Sequence, residues 1–336
     1  MKKVKIGING FGRIGRNALK IAFEHKGECE IVGINDLTDT KTLAHLLKHD
    51  TAYGAFKLEV GHDDNSITVD GKKIRIFAEK DPAMLPWGDL DVDVVIESTG
   101  RFLDKETAGA HLKGGAKRVV ISAPSKGNDP APTHVLGVNP DDGKSAIINN
   151  ASCTTNCITP VMAVLEHEFG IEKALMSTIH SYTASQLLQD GPAKDIREAR
   201  AAAQNIVPTS TGAAIATTLS LPSLKDKFDG LSFRVPTIVV SLSDITAVTK
   251  KKVTVEEVNN ALIKASKSAR YAGIIGVTEE ELVSSDFKGD SHSCIIDLKL
   301  TRVIGGDLIK VVAWYDNEWG YSNRLVEQTI LAGQNI

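Results

Sequence analysis

Lys3-Val4-Lys5-Ile6-Gly7-Ile8-Asn9 runs directly into Gly10-Phe11-Gly12-Arg13-Ile14-Gly15, and the reading of this stretch decides the fold. Apolar residues at β spacing predict a strand ending at Asn9. A helical segment is expected over residues 16–25, and Glu30-Ile31-Val32-Gly33-Ile34-Asn35 predicts a second strand that ends at Asp36. Strand, G-x-G-x-x-G, helix, strand, acid is the order that a dinucleotide site requires. Gly10 permits the tight turn, Gly12 the approach of a pyrophosphate, and Gly15 the packing of helix on sheet. A lone glycine pattern in a loop is a common coincidence; here the flanking strands and the acid set that alternative aside. Asp36 can accept hydrogen bonds from ribose hydroxyls, whereas a 2′-phosphate would set a second negative charge beside it, so the expected cofactor is NAD rather than NADP.

The same rhythm continues outward. Residues 42–48 read as a helix, residues 66–69 and 73–77 as a hairpin across Asp70-Gly71, and residues 82–87 as a turn region. Residues 92–97 form an apolar strand running into Ser98-Thr99-Gly100, residues 104–113 the next helix, and residues 118–122 a further strand. Small, hydroxylated residues recur where these strands end, the edge at which doubly wound sheets take ligands, so Thr99 and Ser122 are candidate cofactor contacts.

A second stretch carries the chemistry. Ser152-Cys153-Thr154-Thr155-Asn156-Cys157 follows an apolar run and opens a helical pattern that lasts to Gly170. Ser, Thr and Asn cap helices well and fill their interiors poorly, so Cys153 is expected at a helix N-terminus, where unpaired N–H groups favour a thiolate and can hold an oxyanion. Cys157 is assigned to packing, because C-x3-C without a second cysteine pair is a poor metal pattern. A thiol nucleophile needs a group that exchanges protons near neutrality. Of nine histidines, His180 is the best placed, ending an expected strand before Ser181-Tyr182-Thr183; His45, His49, His62, His111, His134, His167 and His292 are read as solvated. Arg234, among Phe233, Val235 and Pro236, is a candidate for a doubly charged oxyanion, with an internal salt bridge as its alternative.

Bulk properties bound the rest. A length of 336 residues predicts two domains, and 42% hydrophobic with 24% charged residues suits a soluble globular protein. A net charge of −3, with signs interspersed, gives no general attraction to nucleic acid or an anionic membrane. No apolar run approaches a membrane span, the opening Met1-Lys2-Lys3 has no signal region, and four cysteines without export features read as reduced cytoplasmic thiols. Beyond residue 170 the pattern changes to strands over 174–180, 231–235, 238–249, 294–303 and 308–315, a capped helix over 254–270, a long mixed segment over 181–204 and a closing helix over 317–331. The expected class is therefore α/β: a Rossmann-type doubly wound dinucleotide-binding domain over 1–151, with the C-terminal helix 317–336 packing back on it, and an α+β catalytic domain with a mainly antiparallel or mixed sheet over 152–316.

With these residues assembled, the chain resembles the phosphorylating glyceraldehyde-3-phosphate dehydrogenases over essentially its whole length. The matching stretches are Ile8 to Arg16, Ser152 to Cys157, His180-Ser181-Tyr182-Thr183, Pro208 to Ala214, Arg234-Val235-Pro236-Thr237 and Trp314 to Ser322. The resemblance implies oxidation of glyceraldehyde 3-phosphate with NAD and inorganic phosphate, with Cys153 as nucleophile and His180 as base. It implies Ser152, Thr154, Thr211 and Gly212 for the attacking phosphate, and Thr183 and Arg234 for the substrate phosphate. Gly10, Phe11, Gly12, Arg13, Ile14, Asp36, Lys80, Thr99, Ser122 and Asn317 fall at the family's NAD positions, Lys80 where arginine is frequent. Ser185 and Glu198 depart from common family residues. A cytoplasmic homotetramer is implied, with no obligate nucleic acid and no metal. Erythrose-4-phosphate dehydrogenase is the nearest alternative, and a non-catalytic NAD- or RNA-binding regulator a minor one.

Overall fold

Val94–Glu97, Arg118–Ile121 and Ile147–Asn149 are buried at every residue, as strands covered on both faces must be. They run parallel to one another and to Val4–Asn9, Cys29–Asn35 and Lys72–Phe77, in the order 147–149, 118–121, 94–97, 4–9, 29–35, 72–77. Ser66–Val69 and Val60–Asp63 extend that edge antiparallel, and Asp70 and Gly71, both at positive φ, make the tight turn between Ser66–Val69 and Lys72–Phe77. The chain leaves Val4–Asn9 for Cys29–Asn35 on one side and returns to Val94–Glu97 on the other, so a crevice opens beyond Asn9. This computed structural model describes residues 3–336; Met1 and Lys2, which fall within the expected first domain, lie outside the described residues.

The chain divides into two units, one holding residues up to His134, Pro140–Ala151 and Ser322–Ile336, the other Val135–Asn139 and Ser152–Tyr321. Within the first unit Arg118 fastens the C-terminal segment. Its guanidinium grips Asp141 through two nitrogens at 2.6 and 3.0 Å and donates to the carbonyl of Ala332 at 3.0 Å.

The second unit is built on a mixed sheet in the order Val207–Ser210, Phe228–Val235, Ile171–Ser181, Ser241–Thr249, Leu308–Tyr315, Cys294–Asp297, Ile275–Thr278, with Arg302–Ile304 paired to Leu308–Tyr315. Ser241–Thr249 alternates buried and half-buried residues along its whole length, one face to the core. Helix Cys153–Phe169 covers that face, placing Cys157, Val161 and Leu165 in one cluster with Ile245, Val311 and Ala313. Val255–Ser266 begins with the expected capping box of Thr254 and Glu257.

Several boundaries differ from the sequence reading. The helix expected over 104–113 is two short pieces, Lys105–Ala108 and Ala110–Lys113, meeting at Gly109. The first helix starts earlier, at Arg13, because Gly12 serves as its N-cap. The strand expected over 294–303 stops at Asp297; a 3-10 turn, Leu298–Leu300, follows, and Arg302–Ile304 is a separate strand paired with Leu308–Tyr315. Val207–Ser210 and helix Ala213–Ser220 were not foreseen as elements.

Removing one partner of a buried ion pair leaves the other uncompensated, at about 3–5 kcal/mol. Arg118→Ala is therefore expected to lower unfolding stability by about that amount in urea titration, and a loss below about 1 kcal/mol would contradict the fastening role given to this side chain.

Candidate active site

The first unit presents the dinucleotide edge. Gly10 has φ +91°, open to glycine at little cost, and a Cβ on Gly15 would lie 2.2 Å from the carbonyl oxygen of Gly10, so helix Arg13–Glu24 can enter only there without a side chain. The turn anchors Asp36: Phe11 N–H donates to its Oδ2 at 2.8 Å, and Thr38 N–H to its Oδ1 at 3.0 Å. Helix Thr40–Lys48 has its own cap in Asp39, which leaves Asp36 outside it.

These residues fit NAD. Gly12 makes no side-chain cap, the first turn of helix Arg13–Glu24 holds no acid, and a Cβ on Gly12 would meet no protein atom, which leaves helix N–H groups and open space for a pyrophosphate. Arg13 donates to Asp50 Oδ2 at 2.9 Å, and Ile14 is the second residue of the helix. Thr99 and Ser122 follow the ends of Val94–Glu97 and Arg118–Ile121, and Lys80 lies in the 78–81 loop with its N–H bonded to Glu79.

The second unit presents the thiol. Ser152 caps helix Cys153–Phe169, its hydroxyl accepting from Thr155 N–H at 3.1 Å, which makes Cys153 the first helical residue. His180 stands next to the last residue of Ile171–Ser181, and the parallel pairing of that strand with Phe228–Val235 makes His180 and Arg234 register partners. Backbone register thus brings three side chains together. Sγ of Cys153 is 3.4 Å from Nε2 of His180, and Arg234 Nη1 is 2.6 Å from its Nδ1.

The electrostatics add burial to the effect of the helix end. Burial pushes the Cys153 thiol up, and the opposing pull of Arg234, of the Thr154 hydroxyl and of the Thr154 and Cys153 N–H groups does not reverse it. Burial, with Arg234 second, also lowers His180 to about 3 against the weaker lift from the Ser181 carbonyl. Burial thus works against charge on both the sulfur and the ring, a cost that the helix end alone did not show. Nδ1 lies between the Ser181 carbonyl, an acceptor at 2.7 Å, and Arg234 Nη1, a donor at 2.6 Å; a proton on Nδ1 satisfies the carbonyl and leaves Nε2 free to accept from sulfur, with the Arg234 N–H then directed past the ring to the same carbonyl, 3.3 Å away.

Arg234 has no carboxylate partner within ion-pair distance among the described residues, and its Nε is buried without a partner, so the salt-bridge alternative falls. Thr183 shares a hydrogen bond of 2.9 Å with Ser185, the departing residue. Thr211 and Gly212 open helix Ala213–Ser220, the Thr211 hydroxyl accepting from Ala213 N–H. The Thr154 hydroxyl, 2.9 Å from Tyr315 Oη, is turned to a buried cluster that also holds Thr178 at 2.8 Å. Tyr315, whose ring meets His180 edge-on, had no role in the sequence reading; its hydroxyl sits on an apolar strand and gave no signal there. Asn317 Oδ1 accepts from the Ser241 hydroxyl at 2.9 Å. Cys29, Cys157 and Cys294 are buried, as packing residues should be.

Comparison with known proteins identifies the family. The family model described as the NAD binding domain of glyceraldehyde 3-phosphate dehydrogenase matches residues 4–105, and that of its C-terminal domain residues 152–317. A glyceraldehyde-3-phosphate dehydrogenase of Streptomyces coelicolor is 52% identical over 99% of both chains. Glyceraldehyde-3-phosphate dehydrogenase 1 of Bacillus cereus is 53% identical, and the Geobacillus stearothermophilus enzyme 52%, each over 96% of both chains. The chain belongs to the glyceraldehyde-3-phosphate dehydrogenase family of NAD-dependent oxidoreductases.

Proposed function

We propose that the chain oxidises D-glyceraldehyde 3-phosphate with inorganic phosphate to 1,3-bisphosphoglycerate, and that Cys153 and His180 carry the covalent chemistry. The 3.4 Å contact between Sγ and Nε2 is the observation that supports this most. As Sγ attacks the aldehyde carbon, its proton passes to Nε2, so the thiol need not be ionised beforehand. The N–H groups of Cys153 and Thr154 at the helix end then face the new oxyanion, and the imidazolium hands it a proton to complete a hemithioacetal. His180 takes the hydroxyl proton back as the carbon is oxidised. Bound NAD, held by Gly10, Phe11, Gly12, Arg13, Ile14, Asp36, Lys80, Thr99, Ser122 and Asn317, supplies the hydride acceptor that converts the hemithioacetal to a thioester.

Phosphate then attacks the thioester carbonyl, the carbon–sulfur bond breaks, and Cys153 Sγ leaves. Ser152, Thr154, Thr211 and Gly212 are assigned to that phosphate. The Thr154 side chain is engaged with Tyr315, which leaves its main chain for the part. Arg234 and Thr183 are assigned to the phosphate of the substrate. Residues 152–316 form the catalytic domain in this reading, and residues 1–151 with helix 317–336 hold NAD.

We also place the protein in the cytoplasm as a homotetramer. Four cysteines in the thiol form suit a reducing compartment. The sheet of the second unit carries Leu175, Leu231 and Leu308 exposed, as are Leu188, Ile196 and Ile206 of the 182–206 segment, apolar side chains that suit burial against further copies of the chain. Among the described residues no helix is long and apolar enough to cross a membrane.

Two measurements check this reading. Cys153→Ser is expected to lower kcat by about 10⁴-fold or more, as losses of catalytic nucleophiles do, and His180→Asn by about 10²–10⁴-fold; retention of a tenth of the activity in either variant would sink the assignment. Sedimentation equilibrium at micromolar protein should return four times the chain mass, and a monomer would remove the tetramer.

A further inference from the structure

His111 belongs to a run, Ala110-His111-Leu112-Lys113, that reads as solvated, yet in the first unit its ring is wholly buried and held on both sides. The Trp87 indole N–H, a donor only, lies 3.0 Å from Nδ1. Nδ1 therefore accepts, the ring proton sits on Nε2, and Nε2 donates to Oε2 of Glu97 at 3.0 Å. Glu97 is 1% exposed and receives three more donors: Asn9 Nδ2 on Oε2 at 2.6 Å, and the N–H and hydroxyl of Thr99 on Oε1 at 2.8 and 2.5 Å. Among the described residues no lysine or arginine pairs with it, so hydrogen bonds from neutral groups take the place of a countercharge.

The residues gathered by this carboxylate share one edge. Asn9 is the register partner of Asn35 on one side and of Glu97 on the other, at the last rung of three adjacent strands. Asn9 Oδ1 accepts from Asn35 Nδ2 at 2.7 Å, and Asn35 holds the main chain of Glu79 through both its oxygen and its nitrogen. The glycine turn rests on the segment that Glu97 ties down. A Cβ on Gly10 would lie 2.7 Å from Thr99 N, and the Ser98 hydroxyl donates to the Gly10 carbonyl at 2.7 Å.

We propose that Glu97 is a positioning residue for the dinucleotide: locked by His111 and Trp87, its carboxylate fixes Asn9 and Thr99, and so sets the Gly10 turn and the 98–100 loop at the spacing the cofactor needs. Asp36 ends the strand on the adenosine-ribose side of the switch point, whereas Glu97 ends the strand on the opposite side, so its effect falls on the nicotinamide half. The inference rests on NAD lying along this edge.

Calorimetric titration of the full chain with NAD and with ADP-ribose tests it. In Glu97→Gln one of the two acceptor oxygens becomes an NH2 that faces donors, those of Asn9 and His111 or those of Thr99. NAD should bind about tenfold or more weakly, the size of one lost hydrogen bond to a charged group, and ADP-ribose less so. KM for NAD should rise while KM for the aldehyde stays within about twofold, a split that a merely structural carboxylate would not produce. Asp36→Ala is the control. If it weakens NAD while Glu97→Gln does not, the positioning role is overturned; if neither variant weakens NAD, the edge itself has been misassigned and the inference fails with it. Should Glu97→Gln not fold, His111→Leu removes one donor without touching the edge: about threefold weaker NAD binding is expected, and an unchanged Kd overturns the proposal.

Discussion

The pairing of two parallel strands, Ile171–Ser181 with Phe228–Val235, is the constraint on which the active centre depends. It makes His180 the partner of Arg234, and the helix that begins at Cys153 supplies the third member from elsewhere in the same core. A slip of one residue in the first strand would turn His180, and in the second Arg234, to the opposite face of the sheet and away from the other. The chemistry is thus fixed by backbone hydrogen bonds more than by any attraction among the three side chains.

Those side chains, left together, restrain one another. Burial disfavours charge on both sulfur and imidazole, and the Arg234 guanidinium, while easing ionisation of the thiol, opposes protonation of the ring. Charge on either group is costly here until a carbonyl carbon offers the sulfur electrons a destination. The proton then has a reason to move, because the oxyanion forming at the helix end is the charge that the N–H groups there are oriented to meet. An anionic substrate group taken up by Arg234 would also draw its charge away from the ring and make Nε2 a better acceptor.

Much of this was legible in the sequence, for identifiable reasons. Gly10, Gly12, Gly15 and Asp36 are spaced along one short βαβ segment, where local geometry carries the information. Ser152 announces a helix start by its chemistry, so Cys153 could be placed from its neighbours alone. What depends on distant partners was not legible. His111 looks polar among Ala110, Leu112 and Lys113, and only the folded sheet delivers Glu97 and Trp87 to it. The upward shift of the thiol comes from burial by segments far along the chain, and the Tyr315 hydroxyl meets Thr154 across 161 positions.

Single-turnover kinetics with NAD and glyceraldehyde 3-phosphate, in the absence of phosphate, test the central claim most directly. The account predicts a rapid burst of one NADH per Cys153 that then stalls, with the acyl group found on Cys153 by mass spectrometry and turnover resumed on adding phosphate. Steady NADH production without phosphate at the full rate, or a burst whose acyl group lies on a residue other than Cys153, would contradict it.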